Sequence, residues 1–292
     1  MVEMTLKQAV EEYKNVYMPA RNFSTRTRVE YANDIEDLTS FVEQNGIHRV
    51  GMITLPTVER YLAELDRRGI AGATRKRKVV SIRSFLTFLY QDGYIATNIG
   101  KRIIPPRTDF KNPRFLTERE YKRLLDAASQ NPRDFAIIQL LLQTGIKLSE
   151  ITRLSLNDVE LSDTKLPEQK EGGYLHIIGS ERQKERTIPL NNKACTALGE
   201  YVKRRSLTKN NILFINRFGK RLSPRGIEKI TSKYFDQTEI EGATVQSLRH
   251  TFGIHHVAKG TSLKTIQAIM GHKDPRSTAI YVSLIRETTY EL

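Results

Sequence analysis

The chain of 292 residues has a single cysteine, no tryptophan and no long apolar run. One thiol, that of Cys195, excludes an internal disulfide and a zinc site built from several cysteines, and we expect it to be buried as a small apolar residue. No stretch approaches the ~18 apolar residues that a transmembrane helix needs. The first residues also lack the apolar core of a signal peptide. These absences predict a soluble, cytoplasmic protein.

Acidic residues are in short supply, with 33 Asp and Glu against 47 Lys and Arg, which gives a formal charge of +14. An excess of this size indicates a polyanionic partner, nucleic acid first and an anionic membrane surface second. Both parts of the chain are basic, with 16 basic against 12 acidic residues over 1–106 and 31 against 21 over the remainder. We therefore expect a partner that contacts both parts.

The first hundred residues have apolar positions at helical spacing. We predict helices over 6–17 and 27–44, a third between Thr54 and Gly69, and a fourth over 73–91. Three prolines and no helical period follow over 104–114, which is typical of an extended linker. The pattern therefore predicts an all-helical domain over 1–103, a linker over 104–114 and a second domain over 115–292.

The second domain is predicted to be mostly helical with a small antiparallel sheet. Thr117 and Glu120 form a capping box before a helix that extends to about Ser129. Two strand-like segments, 174–178 and 186–189, flank a polar turn and indicate a hairpin. Further helices are predicted over 134–143, from Ser149, and over 192–205, 224–235, 245–258, 263–270 and 274–284.

Four consecutive cations open the fourth helix, namely Arg75, Lys76, Arg77 and Lys78. They cannot share one narrow face, and positive charge at a helix N-terminus opposes the helix dipole. We interpret the run as a set of DNA phosphate contacts. A solvated charged surface is the alternative.

Four segments of the second domain carry a family resemblance. They are LLLQTGIKLSEITRL (140–154), HIIGSERQKERTIPL (176–190), VQSLRHTF (245–252) and IMGHKDPRSTAIYVSL (269–284). In this order they resemble the conserved boxes of the tyrosine recombinase (phage integrase) family. The helical first domain and the linker resemble the family's SAM-like core-binding domain and its linker, so the resemblance covers essentially the whole chain.

The resemblance implies a cleavage that needs neither a metal nor ATP. Tyr281 matches the nucleophile, which attacks a DNA phosphodiester and forms a 3′-phosphotyrosine. Arg249 and His272 match residues that contact the scissile phosphate, where guanidinium and imidazole donors stabilise the developing charge. Glu150 matches an acidic residue that orients neighbouring cations. His250, beside Arg249, is interpreted as supporting structure.

The chain departs from the family pattern at three places. Lys147 stands where the family has its first catalytic arginine, which keeps the charge but loses the bidentate fork. Gln246 replaces the first histidine of His-x-x-Arg, and an amide donates a hydrogen bond but cannot shuttle a proton. In the hairpin the usual lysine position is not lysine, so Lys184 is our candidate for the acid that protonates the leaving group, with Arg182 the nearest alternative cation.

The family further implies a site-specific recombinase that acts on a double-stranded DNA site through a Holliday junction, as a monomer in solution and a tetramer on DNA, with no membrane partner. A non-catalytic DNA-binding protein derived from a recombinase and a type IB topoisomerase are the alternatives. A metal-dependent nuclease is disfavoured, because the adjacent His255 and His256 lack the spacing of a metal motif. The target sequence and the biological task stay open.

Overall fold

The computed structural model describes residues 4–107, 112–161, 172–179, 185–206, 208 and 210–289, with side chains to 286. The chain divides into two compact units, Met1–Lys111 and Asn112–Leu292. The division falls inside the segment predicted to be a linker. Among the described residues, no helix is long and apolar enough to cross a membrane.

The first unit is built from helices, three of which begin at a capping side chain that the sequence offers. The side chains of Thr5, Ser24 and Thr54 each accept a hydrogen bond from a backbone N–H in the first turn of the helix that follows. The helices are α1 (Leu6–Glu12), α2 (Met18–Ala20), α3 (Thr25–Gln44), α4 (Leu55–Arg67) and α5 (Gly72–Gln91). Between α1 and α2 the chain makes a π-helical turn, Tyr13–Tyr17, where the sequence predicted an unbroken α-helix.

The core of the first unit is rich in aromatic rings. Tyr13 and Phe85 pack edge to face with centroids 5.2 Å apart, and Phe88 contacts both Tyr13 and Tyr17. The Tyr13 hydroxyl is satisfied by Ser84 Oγ at 2.8 Å. Edge-to-face pairs stabilise a core beyond the area that they bury, and this cluster fixes the π-helical turn Tyr13–Tyr17 against α5.

Most side chains of the basic run at the start of α5 form ion pairs with acidic side chains of the same unit. Lys78 is only 9% exposed, and its Nζ lies 2.8 Å from Asp37 and 3.3 Å from Asp34. Arg77 pairs with Asp34, and Arg75 Nη1 lies 2.7 Å from Asp66. Burial acts to raise the pKa of Asp37, but hydrogen bonds from Lys78 and Tyr61 outweigh it and hold that pKa below its usual value.

This network corrects the interpretation of the run. We inferred that phosphate contacts favour four cations there, but Lys78 belongs to a buried ion cluster and is not available to DNA. Buried charges need such partners, because an unpaired one is strongly destabilising. Lys76 is exposed and, within the described part of the chain, has no carboxylate partner. The prediction that the run contacts DNA therefore remains strongest for Lys76.

The second unit is helical around a three-stranded sheet. Its helices are α6 (Glu118–Ala128), α7 (Pro132–Thr144), α8 (Leu148–Ile151), α9 (Asn192–Arg204), α10 (Pro224–Gln237), α11 (Val245–Ala258), α12 (Leu263–Met270) and α13 (Arg276–Thr289). The predicted capping box of Thr117 and Glu120 opens α6. The mainly α fold with a small antiparallel sheet is confirmed.

The sheet has the order β1-β2-β3, with β1 Val159–Leu161, β2 Gly173–Ile177 and β3 Arg186–Leu190. Both pairings are antiparallel, and Leu175 lies opposite Val159 on one side and Ile188 on the other. β1 was not predicted, because three residues are too few to show an alternating pattern.

Two buried helices position the site. In α7 most residues are buried, and the helix ends at Gly145, whose φ of 57° is left-handed. A Cβ at Gly145 would lie 2.5 Å from the Phe252 ring on α11, so α11 packs directly against this turn. α11 also contacts α12 and α13, which places α7, α12 and α13 around one helix.

Candidate active site

Arg249 is the buried centre of the site. Its side chain lies on α11, and the residue is 3% exposed. One guanidinium nitrogen donates to the carbonyl of Gly145, and Nη2 donates to the Met270 carbonyl at 2.7 Å. Burial lowers the pKa of Arg249 to about 10, so the group keeps its charge at neutral pH. The arginine thus joins the C-terminal ends of α7 and α12 while holding a positive charge between them.

Lys147, at the family's arginine position, lies beside this charge. Its Nζ donates to the Gly271 carbonyl at 3.0 Å, and its backbone N–H donates to Glu150 Oε2 at 2.8 Å. Burial lowers the pKa of Lys147, and Arg249 and Arg186 lower it further, while Glu150 opposes them. The Lys147 ammonium group therefore lies at the turn that precedes His272. Its contact with a DNA phosphate stays a prediction.

Glu150 is paired with a residue that sequence reasoning missed, Arg186. The two side chains form a bidentate ion pair at 2.8 and 2.9 Å, and Arg186 Nε donates to the Ile269 carbonyl at 2.7 Å. Burial acts to raise the pKa of Glu150, but hydrogen bonds from Arg186 and the Lys147 backbone outweigh it and lower that pKa. Glu150 therefore holds a buried cation, and its orienting role in the reaction stays a prediction.

Arg186 could have been found from the strand pattern. Residues 186, 188 and 190 share one face of β3, and Ile188 and Leu190 on that face are buried. A charged residue in line with two buried apolar ones requires a buried partner. The alternation of residues 186, 188 and 190 also predicts a strand, and that prediction alone does not identify the partner of Arg186.

Tyr281 is fully buried on α13, at 1% exposure. Its ring packs against α11 so closely that a Cβ at Gly253 would lie 2.4 Å from it. Its hydroxyl lies 3.1 Å from His250 Nδ1. Burial raises the pKa of Tyr281 to about 12, although Arg249 acts to lower it.

His272 is the last residue of the turn Met270–His272, whose first two carbonyls accept from the cations, and its ring centroid lies 6.3 Å from that of Tyr281. Its Nδ1 is 2.8 Å from Thr278 Oγ1, which fixes the orientation of the ring. Burial lowers the pKa of His272 to about 4, with Arg249 the next cause. The imidazole is therefore neutral, and when Nδ1 accepts from the Thr278 hydroxyl its hydrogen lies on Nε2.

The other predicted site residues, Gln246, Lys184 and Arg182, are not among the contacts described above. Gln246 is exposed in the first turn of α11, one turn before Arg249, and lines a cavity of about 350 Å³ beside α10. Lys184 and Arg182 lie outside the described residues, in the connection between β2 and β3. Arg186 begins β3 immediately after this connection, so the hairpin is attached to the site at its base.

Within the described ranges, no group of three or more His, Cys, Asp or Glu side chains could hold a metal ion. The tandem histidines have separate partners. His255 packs on Tyr121, and His256 packs on Phe252 and lies 3.2 Å from Thr261 Oγ1.

Sequence families match both units. The Phage integrase family matches residues 114–287, and the Phage integrase N-terminal SAM-like domain matches residues 10–93. The chain therefore belongs to the phage integrase family of tyrosine recombinases and acts in site-specific DNA recombination.

Individual relatives cover nearly the whole chain. A tyrosine recombinase XerC of Roseiflexus castenholzii is 31% identical over 297 residues, covering 98% of this chain and 91% of the relative. A tyrosine recombinase XerC of Pelotomaculum thermopropionicum is 33% identical over 286 residues, covering 91% and 90%.

Solved structures share the fold. A XerH site-specific recombinase in a post-cleavage complex with a palindromic difH substrate superposes with a TM-score of 0.78 at 19% identity, covering 97% of this chain and 83% of that one. A lambda integrase tetramer bound to a Holliday junction gives a TM-score of 0.75 at 18% identity, covering 93% and 78%.

Proposed function

We propose that Tyr281 is the nucleophile of this recombinase and that Arg249, Lys147 and His272 bind the scissile phosphate. The observation that supports this most directly is the convergence of these side chains on the turn Met270–His272. Arg249 and Lys147 contact its carbonyls, His272 belongs to it, and the Tyr281 ring lies beside His272. A phosphate entering there meets two cations and a neutral imidazole donor.

In the proposed cleavage, Tyr281 Oη forms a bond to phosphorus and the bond from phosphorus to the 5′ oxygen breaks. Charge that develops on the non-bridging oxygens is stabilised by preorganised donors, the largest single effect in many enzymes. The 5′ oxygen takes a proton from a cationic group, for which Lys184 is the candidate. The 3′-phosphotyrosine conserves the bond energy, so religation by a 5′-hydroxyl requires neither a metal nor ATP.

Glu150 is proposed to act through its neighbours. It holds Arg186 by two hydrogen bonds and the start of α8 by a third. Its charge partly balances Lys147, Arg186 and Arg249, which otherwise repel one another in a buried space. It is thus a positioning residue for the cations.

The assembled enzyme is proposed to be a tetramer on DNA that forms from monomers, each contributing one Tyr281 to one strand. The lambda integrase tetramer on a Holliday junction supports this stoichiometry by analogy. Lys76, which is exposed, and Arg182, which lies between β2 and β3 in the sequence, are proposed to contact the phosphate backbone. A DNA substrate also supports the cytoplasmic location that the sequence predicts.

The test is covalent capture on a nicked suicide substrate, whose cut strand loses a short fragment and cannot religate. Wild-type protein is expected to form an adduct that survives denaturing electrophoresis and is removed by protease, in buffer containing EDTA and no ATP. Tyr281→Phe, which removes a single oxygen, is the matched control and is expected to form none. Site-specific DNA binding without an adduct would instead support a non-catalytic DNA-binding protein.

A further inference from the structure

The Tyr281 hydroxyl must lose its proton as it attacks phosphorus. Burial raises the pKa of Tyr281 to about 12, so at neutral pH only about one molecule in 10⁵ carries a preformed phenolate. Gln246, at the family's histidine position, has a side-chain amide that cannot take up a proton at this pH. The nucleophile therefore needs an acceptor elsewhere in the site.

His250 is in contact with the hydroxyl. Its Nδ1 lies 3.1 Å from Tyr281 Oη, and the two rings meet edge to face with centroids 5.8 Å apart. A general base must lie within about 3.2 Å of the proton's oxygen. Gly253, one turn along α11, leaves the space that the Tyr281 ring needs to make this approach.

The protonation state also suits the role. Burial, together with the neighbouring Arg249 charge, lowers the pKa of His250 to about 4. The imidazole is therefore neutral, and with its hydrogen on Nε2 the Nδ1 lone pair accepts from Tyr281. The groups around it are Arg249 on the same helix, His272 from the adjacent turn and Tyr281 from α13. A bound phosphate adds negative charge beside Arg249, which makes His250 more basic in the DNA complex.

We propose that His250 is the general base of the reaction, with its Nδ1 taking the Tyr281 proton as the bond from Oη to phosphorus forms. The electron pair of the broken bond goes to the 5′ oxygen, which is protonated by the cationic acid of the site. In religation the 5′-hydroxyl attacks phosphorus and gives its proton to the acid of the site, which lost its own in cleavage. The bond from phosphorus to Oη then breaks, and His250 returns its proton to the departing Tyr281. The inference rests on the proposed role of Tyr281 and replaces the supporting role that the sequence suggested for His250.

The first test is single-turnover cleavage of the suicide substrate by the full chain. His250→Asn keeps a hydrogen-bond acceptor near the Nδ1 position but cannot take the proton, whereas His250→Ala removes both. Both variants are expected to cleave at least about 100-fold more slowly, and imidazole in the buffer is expected to restore part of the rate of His250→Ala. His256→Asn, the same change on the same helix, is the control and should cleave like the wild type.

The pH dependence separates a base from a positioning residue. A variant without the base depends on preformed phenolate, so its rate should rise about tenfold per pH unit between pH 6 and 9. The wild type should change far less over this range. A wild-type rate for His250→Asn, or equal pH profiles, would overturn the proposal.

The wild type alone supplies a second readout, independent of how the variants fold. When sulfur replaces the leaving 5′ oxygen, the thiolate departs without protonation, so slowing in D2O reports transfer of the Tyr281 proton. We expect slower cleavage in D2O, and an equal rate would contradict the proposal. If the wild type forms no adduct at all, the proposed nucleophile itself fails, which is a different result from an adduct that forms without His250.

Discussion

Arg186 and Glu150 bind each other by two parallel hydrogen bonds of 2.8 and 2.9 Å at the base of the β2–β3 hairpin. Their side chains are only 12% and 6% exposed. Arg186 also donates to the Ile269 carbonyl, and its guanidinium covers Gly271, where a Cβ would lie 2.9 Å from it. One ion pair therefore links α8, β3 and the turn that precedes His272.

Removing one partner of this pair should destabilise the second unit. Arg186→Ala leaves Glu150 buried without its main partner, which costs about 3–5 kcal/mol in comparable pairs. The free energy of unfolding in urea is the measurement. Arg276→Ala, which breaks the exposed pair with Asp274 at 2.8 Å, is the control and should change stability little. Similar effects of the two substitutions would contradict the burial argument.

The ion pair of Glu150 and Arg186 should also make the free energy of unfolding depend on pH. The pKa of Glu150 is held below its ordinary value of 4.5, so the unfolded state binds a proton more readily than the folded state. The stabilisation is then fully present above about pH 4.5 and is lost as the pH falls through the lowered folded-state pKa. Urea unfolding of the wild type and Glu150→Gln should differ by a constant amount above pH 5 and by less at pH 3.5. If the stability difference between the wild type and Glu150→Gln were as large at pH 3.5 as above pH 5, the lowered pKa of Glu150 would be contradicted.

Helices were predicted well because their signals are local. Thr117 and Glu120 form a capping box through residues three apart, and Gly145 ends α7 in a left-handed conformation that favours glycine. Lys78 was misread because its partners, Asp34 and Asp37, lie about 40 residues away on α3. No local pattern reveals an ion pair of that separation.

In the candidate site, motif matching named candidate residues but not how their side chains contact one another. Glu150 was expected to orient cations, yet its partner Arg186 lies 36 residues away and was hidden in a strand pattern. The sequence predicts only a supporting role for His250, because its position next to Arg249 in the sequence does not show that its side chain contacts α13. Its contact with Tyr281 spans 31 residues and depends on the packing at Gly253.

Lys147 should be essential for cleavage but replaceable by arginine. Lys147→Ala removes a donor from the proposed phosphate site, a loss of about 10²–10³ in rate for comparable groups. Lys147→Arg restores the bidentate fork and should cleave at least as fast as the wild type. Single-turnover cleavage at saturating protein measures both. Wild-type cleavage by Lys147→Ala would exclude the lysine from the site.

Substitutions at Lys76 and Lys78, two residues apart on α5, should have different effects: the first on DNA binding and the second on stability. Lys76 is exposed, so Lys76→Ala should leave the urea midpoint unchanged and reduce the slope of log K against log salt by about 0.9, the effect of one phosphate contact. Lys78 is buried against Asp34 and Asp37, so Lys78→Ala should destabilise the first unit by about 3 kcal/mol. The slope of log K against log salt for Lys78→Ala should match that of the wild type under conditions where the variant is folded. A lowered slope for Lys78→Ala would mean that this lysine leaves its carboxylates to contact DNA, and an unchanged slope for Lys76→Ala would remove the run from the DNA interface.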